Sequence, residues 1–254
     1  MQVYIIDIFK KIPNYIKYIF KNVFFLFIFI AFFRGLFYTF FTSLENVSSQ
    51  EIPKALLLGL RFHLKLAILT FFPLAIFVLI INHNFFKSII YKRIAAIYST
   101  LSYLILTLFY LFDFGYYEYL AIRLDACSLR FLNNFKISFQ VLIESYLIYI
   151  GVFGLTILCF ISYKYAILMF NIFNKGYQKI TNKLKAVFFI FTFLILSFGV
   201  FNSIRHFPLR WSATFFSKNN AINQFTLNPI LYFFDSFAFR SEGVNLEEFK
   251  TITQ

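Results

Sequence analysis

IAAIYSTLSYLILTLFYLF, residues 94–112, runs nineteen residues without a charge, and DFGYYEYLAIRLD, residues 113–125, follows it directly. At about 1.5 Å of rise per residue, the first string is close to the length a helix needs to cross a hydrocarbon layer about 30 Å thick. The second gathers Asp113, Glu118, Asp125, Arg123 and the tyrosines 116, 117 and 119 where such a helix would leave the hydrocarbon. Tyrosine, with an apolar ring and a polar tip, suits the headgroup zone. Ionisable groups this close to hydrocarbon need partners or a water-filled site. Together the strings read as a spanning helix that opens into an organised polar segment.

The rest of the chain repeats the first half of that pattern. Its 254 residues are 60% hydrophobic and only 14% charged, against about 25% charged in a soluble domain. Five apolar runs of membrane length predict an all-α membrane protein with five transmembrane helices, at about 20–41, 60–81, 94–113, 145–163 and 186–204. The polar segment 113–144 predicts one or two interfacial helices. Residues 1–204 form the membrane domain in this reading, and residues 205–254 a juxtamembrane tail. The first run is too long for the apolar region of a signal peptide, and no small-residue cleavage pattern follows it. It is expected to stay as a span, with Arg34 snorkelling from its last turns. Pro53 is expected to close the loop 42–54 and Pro73 to kink the second helix. Gly151 and Gly154 are available for close packing in the fourth.

Charge orients the spans. Segments 1–21, 82–93 and 164–185 hold four, three and five Lys/Arg and a single acid, Asp7. Lysine and arginine in short loops stay on the cytoplasmic side, so the N-terminus is expected inside and, after five spans, the C-terminus in the extracytoplasmic space. The net charge of +13 alternates between loops instead of forming one face, which argues against a nucleic-acid partner. Cys127 and Cys159 fall at different depths and have no metal-ligand spacing, so they read as structural thiols.

No catalytic signature stands out. The DFG triplet at Asp113 has no Gly-rich loop or catalytic-loop string beside it, and His63, His83 and His206 are scattered without a carboxylate pair. What does stand out is a set of polar residues near one interface. Asp113, Tyr117, Glu118 and Arg123 form one cluster. Helical spacing places Phe109, Asp113, Tyr116, Tyr117 and Leu120 on one face and Tyr119 over Arg123 on another. Arg34, Arg61, His63, Lys65, Arg123, Arg205, His206 and Arg210 fall near the same interface. Arginine offers bidentate geometry to a lipid phosphate. The alternative is pairing with Glu45, Glu51, Asp113, Glu118 or Glu144, and single residues favour that. Arg34, Arg61, Asp113, Tyr117, Glu118, Arg123, Arg210 and Trp211 are therefore candidates for a lipid headgroup site or a domain interface.

Three strings carry a resemblance: DFGYYEYLAIRLDA (113–126), HFPLRWSATFFS (206–217) and INQFTLNPILYFFDS (222–236). With five spans and an outward tail, they resemble the membrane half of bacterial lipoteichoic acid synthase-like proteins, sulfatase-type phosphoglycerol transferases of the alkaline phosphatase superfamily. The resemblance implies a multi-pass protein of the bacterial plasma membrane. It also implies a large extracytoplasmic sulfatase-type domain, in cis or in trans. That domain has a Thr nucleophile and a divalent metal, typically manganese, and acts on phosphatidylglycerol or another anionic phospholipid. The chain stops at Gln254, where that domain would begin, so no catalytic residue and no metal or other cofactor is assigned to it. It is expected to be inactive by itself, an anchor that helps to present lipid, with residues 205–254 as the linker and Arg210 and Trp211 suited to the membrane surface. The competing readings are a small transporter or channel and a membrane scaffold. A transport path needs ionisable groups near the midplane, and the centres of the third, fourth and fifth runs carry none.

Overall fold

The structure, a computed structural model, describes residues 12–41, 48, 50–129, 147–174, 181–202 and 208–242, and every regular element among them is helical. Asp7, Lys10, Lys11, Glu45, Lys175, Lys179, Arg205, His206 and the whole segment 130–144, Glu144 included, lie outside the described residues. α1 (Asn14–Phe41), α2 (Glu51–Ile81), α3 (Ile89–Leu120), α4 (Leu147–Asn174) and α5 (Asn182–Phe201) are each long and apolar enough to cross a membrane. A helix meets its own backbone hydrogen bonds, as a chain in hydrocarbon must. Short 3-10 turns occupy Asn82–Lys87 and Trp211–Thr214, and two further helices are described in the tail, α6 (Asn220–Thr226) and α7 (Pro229–Glu242).

The helices overrun the apolar windows. α2 begins at Glu51, so Pro53 stands in its first turn, where its missing N–H has no helical partner to lose. It does not close a loop. α3 continues through Asp113 to Leu120, because hydropathy marks where a helix leaves hydrocarbon and not where its backbone stops. Ala121 then takes a left-handed conformation (φ 54°), and its N–H donates to the Tyr117 carbonyl at 2.8 Å. Asn202 ends α5 the same way, at φ 48°, with its N–H on Phe198. Asparagine is at ease there; alanine is not.

The chain divides into two compact units. The first comprises Met1–Ala31, His63–Ile105 and Leu155–Pro208, and aromatic packing holds it together. The 3-10 turn after α2 drives Phe85 and Phe86 inward. Phe85 meets Tyr18, Phe86 and Phe170 at ring separations of 5.6, 5.3 and 5.3 Å, and Phe25 meets Tyr165 at 5.0 Å. Gly199 of α5 lies against the Ile68 side chain, with no room for a Cβ in the present rotamer. The second unit comprises Phe32–Phe62, Leu106–Gly154 and Leu209–Gln254. It gathers every candidate site residue inferred from the sequence.

Phe85 is fully buried among these rings, whereas Ile97 is 54% exposed. Phe85→Ala is expected to cost about 3–5 kcal/mol and to lower the melting temperature of the detergent-purified protein. Ile97→Ala should leave it nearly unchanged.

Candidate functional site

In the second unit the left-handed turn at Ala121 sends the chain back along α3. Arg123 leaves the helix and returns to Asp113, two turns from the helix end. Its guanidinium donates to Asp113 Oδ2, and the Leu124 N–H donates to Asp113 Oδ1 at 2.9 Å. Both ionised side chains are buried, with Asp113 0% and Arg123 2% exposed. The spacing that set Tyr119 over Arg123 fails for this reason: Arg123 is not on the helix, and Tyr119 is 88% exposed.

Arg123 also reaches the tail. Its Nε donates to the Gln224 carbonyl at 3.0 Å, and its backbone N–H donates to Gln224 Oε1 at 3.3 Å. Its guanidinium lies 3.4 Å from the Phe37 ring centroid, and the Tyr117 ring stands edge-on to Phe37 at 4.7 Å. One side chain thus joins α1, the end of α3 and α6.

Arg34 does not snorkel. It is buried, donates to the carbonyls of Ala55 (2.8 Å) and Leu56 (3.5 Å) in the first turns of α2, and rests 4.2 Å over the Phe225 ring. Gly59 admits it, because a Cβ there would collide with the guanidinium. Phe37, Ala55, Ile222 and Phe225 form the core between the two arginines, with Phe41, Ile52, Phe114, Tyr117 and Phe216 packed against it.

The tail is fastened at two further points. Asn228 donates to the Tyr110 hydroxyl at 3.1 Å, while its Oδ1 accepts the Leu231 N–H at 3.2 Å. The second bond caps α7, whose first residue is Pro229, the arrangement that wastes no donor. Ser236 Oγ accepts the Ala126 N–H at 2.9 Å.

Of the candidates, the structure brings Asp113, Tyr117 and Arg123 together and packs Arg34 on the same core. Glu118, Arg61 and Arg210 are exposed, and Trp211 is half-buried beside Tyr232 at 5.5 Å. Arg61 and Arg210 adjoin Phe62 and Leu209 of a second small core, Leu58–Phe62–Leu209, with Phe216 packed on it. Exposed Lys54 lies 4.4 Å over the Phe216 ring. The sequence reading missed Gln224, Asn228, Phe37, Phe225 and Lys54. Gln224 and Asn228 stand among other tail amides, Asn219, Asn220 and Asn223, so nothing in the sequence singled them out, and one Phe among 42 carries no signal either.

Both cysteines are free thiols, and among the described residues no three His, Cys, Asp or Glu side chains gather as metal ligands do. The arrangement can hold a tail segment in place and present exposed cations. The two buried guanidiniums donate to the protein's own carbonyls and carboxylate, and Arg34 Nε alone among their nitrogens is buried without a hydrogen-bond partner.

The fold defines a class, a multi-pass helical membrane protein with a folded segment after its last spanning helix. Beyond the class, no family model, no curated protein and no solved structure matches the chain.

Removing one partner of a buried ion pair typically costs about 3–5 kcal/mol. Asp113→Asn and Arg123→Met are each expected to lower the melting temperature in detergent by an amount of that order. The double variant Asp113→Leu/Arg123→Met should lose clearly less than the sum, because no charge is then left buried alone.

Proposed function

We propose that the chain is the membrane half of a sulfatase-type phosphoglycerol transferase of the lipoteichoic acid synthase-like kind, inserted in a bacterial plasma membrane with its N-terminus cytoplasmic and its C-terminal tail extracytoplasmic. The orientation rests on the lysine-rich segments 1–21, 82–93 and 164–185. In this reading the chain anchors an extracytoplasmic sulfatase-type domain, in cis or in trans, and presents phosphatidylglycerol or another anionic phospholipid to it. The nucleophile and the divalent metal belong to that domain.

The observation that carries the reading is where the resemblance strings sit. Leu209, Ile222, Phe225, Leu227 and Ile230 are core residues of the second unit, and Asp113 and Arg123 of the first string hold Gln224 of the third. Strings that merely connected a membrane helix to a distant domain would have no need of such burial. Lipid presentation falls to Arg61 and Arg210, with Lys54 near them in sequence and packing, because these cations are exposed whereas Arg34 and Arg123 are buried. An exposed cation at a membrane surface attracts anionic lipid with about 1 kcal/mol per residue.

A chimera tests both parts. Joined in frame to the catalytic domain of a lipoteichoic acid synthase, in place of that enzyme's own membrane half, the chain is expected to restore glycerophosphate polymer in cells depleted of the enzyme. The Arg61→Gln/Arg210→Gln chimera should make less polymer at equal membrane abundance, a loss of up to about thirtyfold if each cation contributes about 1 kcal/mol. A chimera that inserts, resists proteolysis and yields no polymer would refute the assignment.

A further inference from the structure

The last helix has an apolar row that begins inside the protein and ends outside it. Ile230, Phe234 and Phe237 follow one another at i, i+4 and i+7, along one face of α7. Ile230 is 3% exposed, Phe234 57% and Phe237 53%. Two phenylalanine rings on a row that is buried at its start need a partner; isolated apolar residues on a surface do not.

The place where α7 touches α3 says what that partner is. Ile97, Leu101, Ile105 and Phe112 of α3 are 54%, 49%, 51% and 60% exposed, and they form a single row at i, i+4, i+8 and i+15 of a helix apolar enough to cross a membrane. In a bilayer such a row is covered by acyl chains. Phe109, at i+12, belongs to the same row, and the rings of Phe233 and Phe234 lie 5.6 and 6.0 Å from its ring. Phe109 also lies within the uncharged run 94–112, one turn, about 6 Å, short of Asp113. α7 therefore rests on lipid-facing surface, on the hydrocarbon side of the buried ion pair.

Its other side is polar and already occupied. Ser236 accepts the Ala126 N–H, and Tyr232 meets Trp211 edge-on. Nearby, the Tyr116 hydroxyl donates to Asp125 at 3.2 Å. Hydroxyls, amides and a Trp/Tyr pair are what the headgroup layer selects. A short helix with one such side and one phenylalanine side lies in the interface plane with its rings in the acyl chains.

We infer that α7 is a bilayer-embedded helix, seated across the lipid-facing row of α3 at Phe109, with Phe234 and Phe237 in contact with acyl chains. Its place differs from that of an aqueous linker, and it holds whatever domain or partner the tail leads to. The partner is the fatty-acyl layer, whatever the headgroup.

Depth-dependent fluorescence quenching tests this. Trp211 is the protein's single tryptophan, so Trp211→Phe gives a dark background. Into it Phe234→Trp and Phe237→Trp are introduced one at a time, with Leu101→Trp as the reference for a lipid-facing site. The proteins are reconstituted into phosphatidylcholine vesicles in which part of the lipid carries bromine near the carbonyl end of its acyl chains. Both tail reporters are expected to be quenched by the brominated lipid to an extent comparable with Leu101→Trp, and several-fold less than free tryptophan by aqueous acrylamide. Quenching by acrylamide with none by bromolipid would place α7 in water. Shielding from both would place a protein surface over the row. Either result overturns the inference, and the two positions, already exposed, tolerate an indole without repacking a core.

Discussion

A carboxylate buried on a spanning helix is the constraint around which the second unit of this structure is arranged. An isolated charge in that setting would cost several kcal/mol after relaxation. Asp113 therefore has to be met by a cation and by N–H donors within reach of its own helix end. The chain meets both needs with one local device. Ala121 reverses the backbone in a left-handed turn that an alanine enters at about 1–2 kcal/mol. That reversal brings the Arg123 guanidinium and the Leu124 N–H onto the two carboxylate oxygens. Arg123 is then fixed in position with donors to spare. Its Nε and its backbone N–H take up Gln224, so neutralising a buried acid also fastens the tail.

The second cation follows another logic. Arg34 meets carbonyl oxygens and an aromatic face. Both buried arginines lie on phenylalanine rings, Phe37 and Phe225, at distances where the ring quadrupole attracts a cation. A chain with 42 phenylalanines has many faces to offer, and here two of them line a small core shared by α1, α2 and α6. Gly59 belongs to the same arrangement. It is the point where α2 gives up a side chain so that a guanidinium can approach its backbone.

What was legible in the sequence was what periodicity and length encode. Five charge-poor runs gave five helices, because a membrane-length apolar run has few other ways to meet its backbone hydrogen bonds. The clustering of ionisable residues just past residue 112 pointed to the region that became the centre of the second unit. Three things were illegible, each for a physical reason. Hydropathy cannot see where a helix ends once it has left hydrocarbon, so α3 ran past Asp113. A left-handed alanine has no sequence signature, and helical spacing therefore put Arg123 on the wrong surface. Arg34 read as a snorkelling residue because its long side chain reaches solvent from such a position in an isolated helix. Only the packed neighbours Ala55, Gly59 and Phe225 make the inward rotamer the better one. The tail, polar on average, read as a linker, yet its apolar residues at 209, 222, 225, 227 and 230 all lie in the core.

The measurement that bears most directly on this account is backbone hydrogen exchange in detergent, followed by peptide mass, for the wild type and for Asp113→Asn. If the Asp113–Arg123 pair fastens the tail, peptides covering residues 120–128 and 219–232 exchange slowly and together in the wild type. In the variant both become fast together, while peptides from the first unit around Phe85 keep their protection. Tail protection that survives the loss of the Asp113 charge would contradict it, and the tail would then be held by its apolar residues alone.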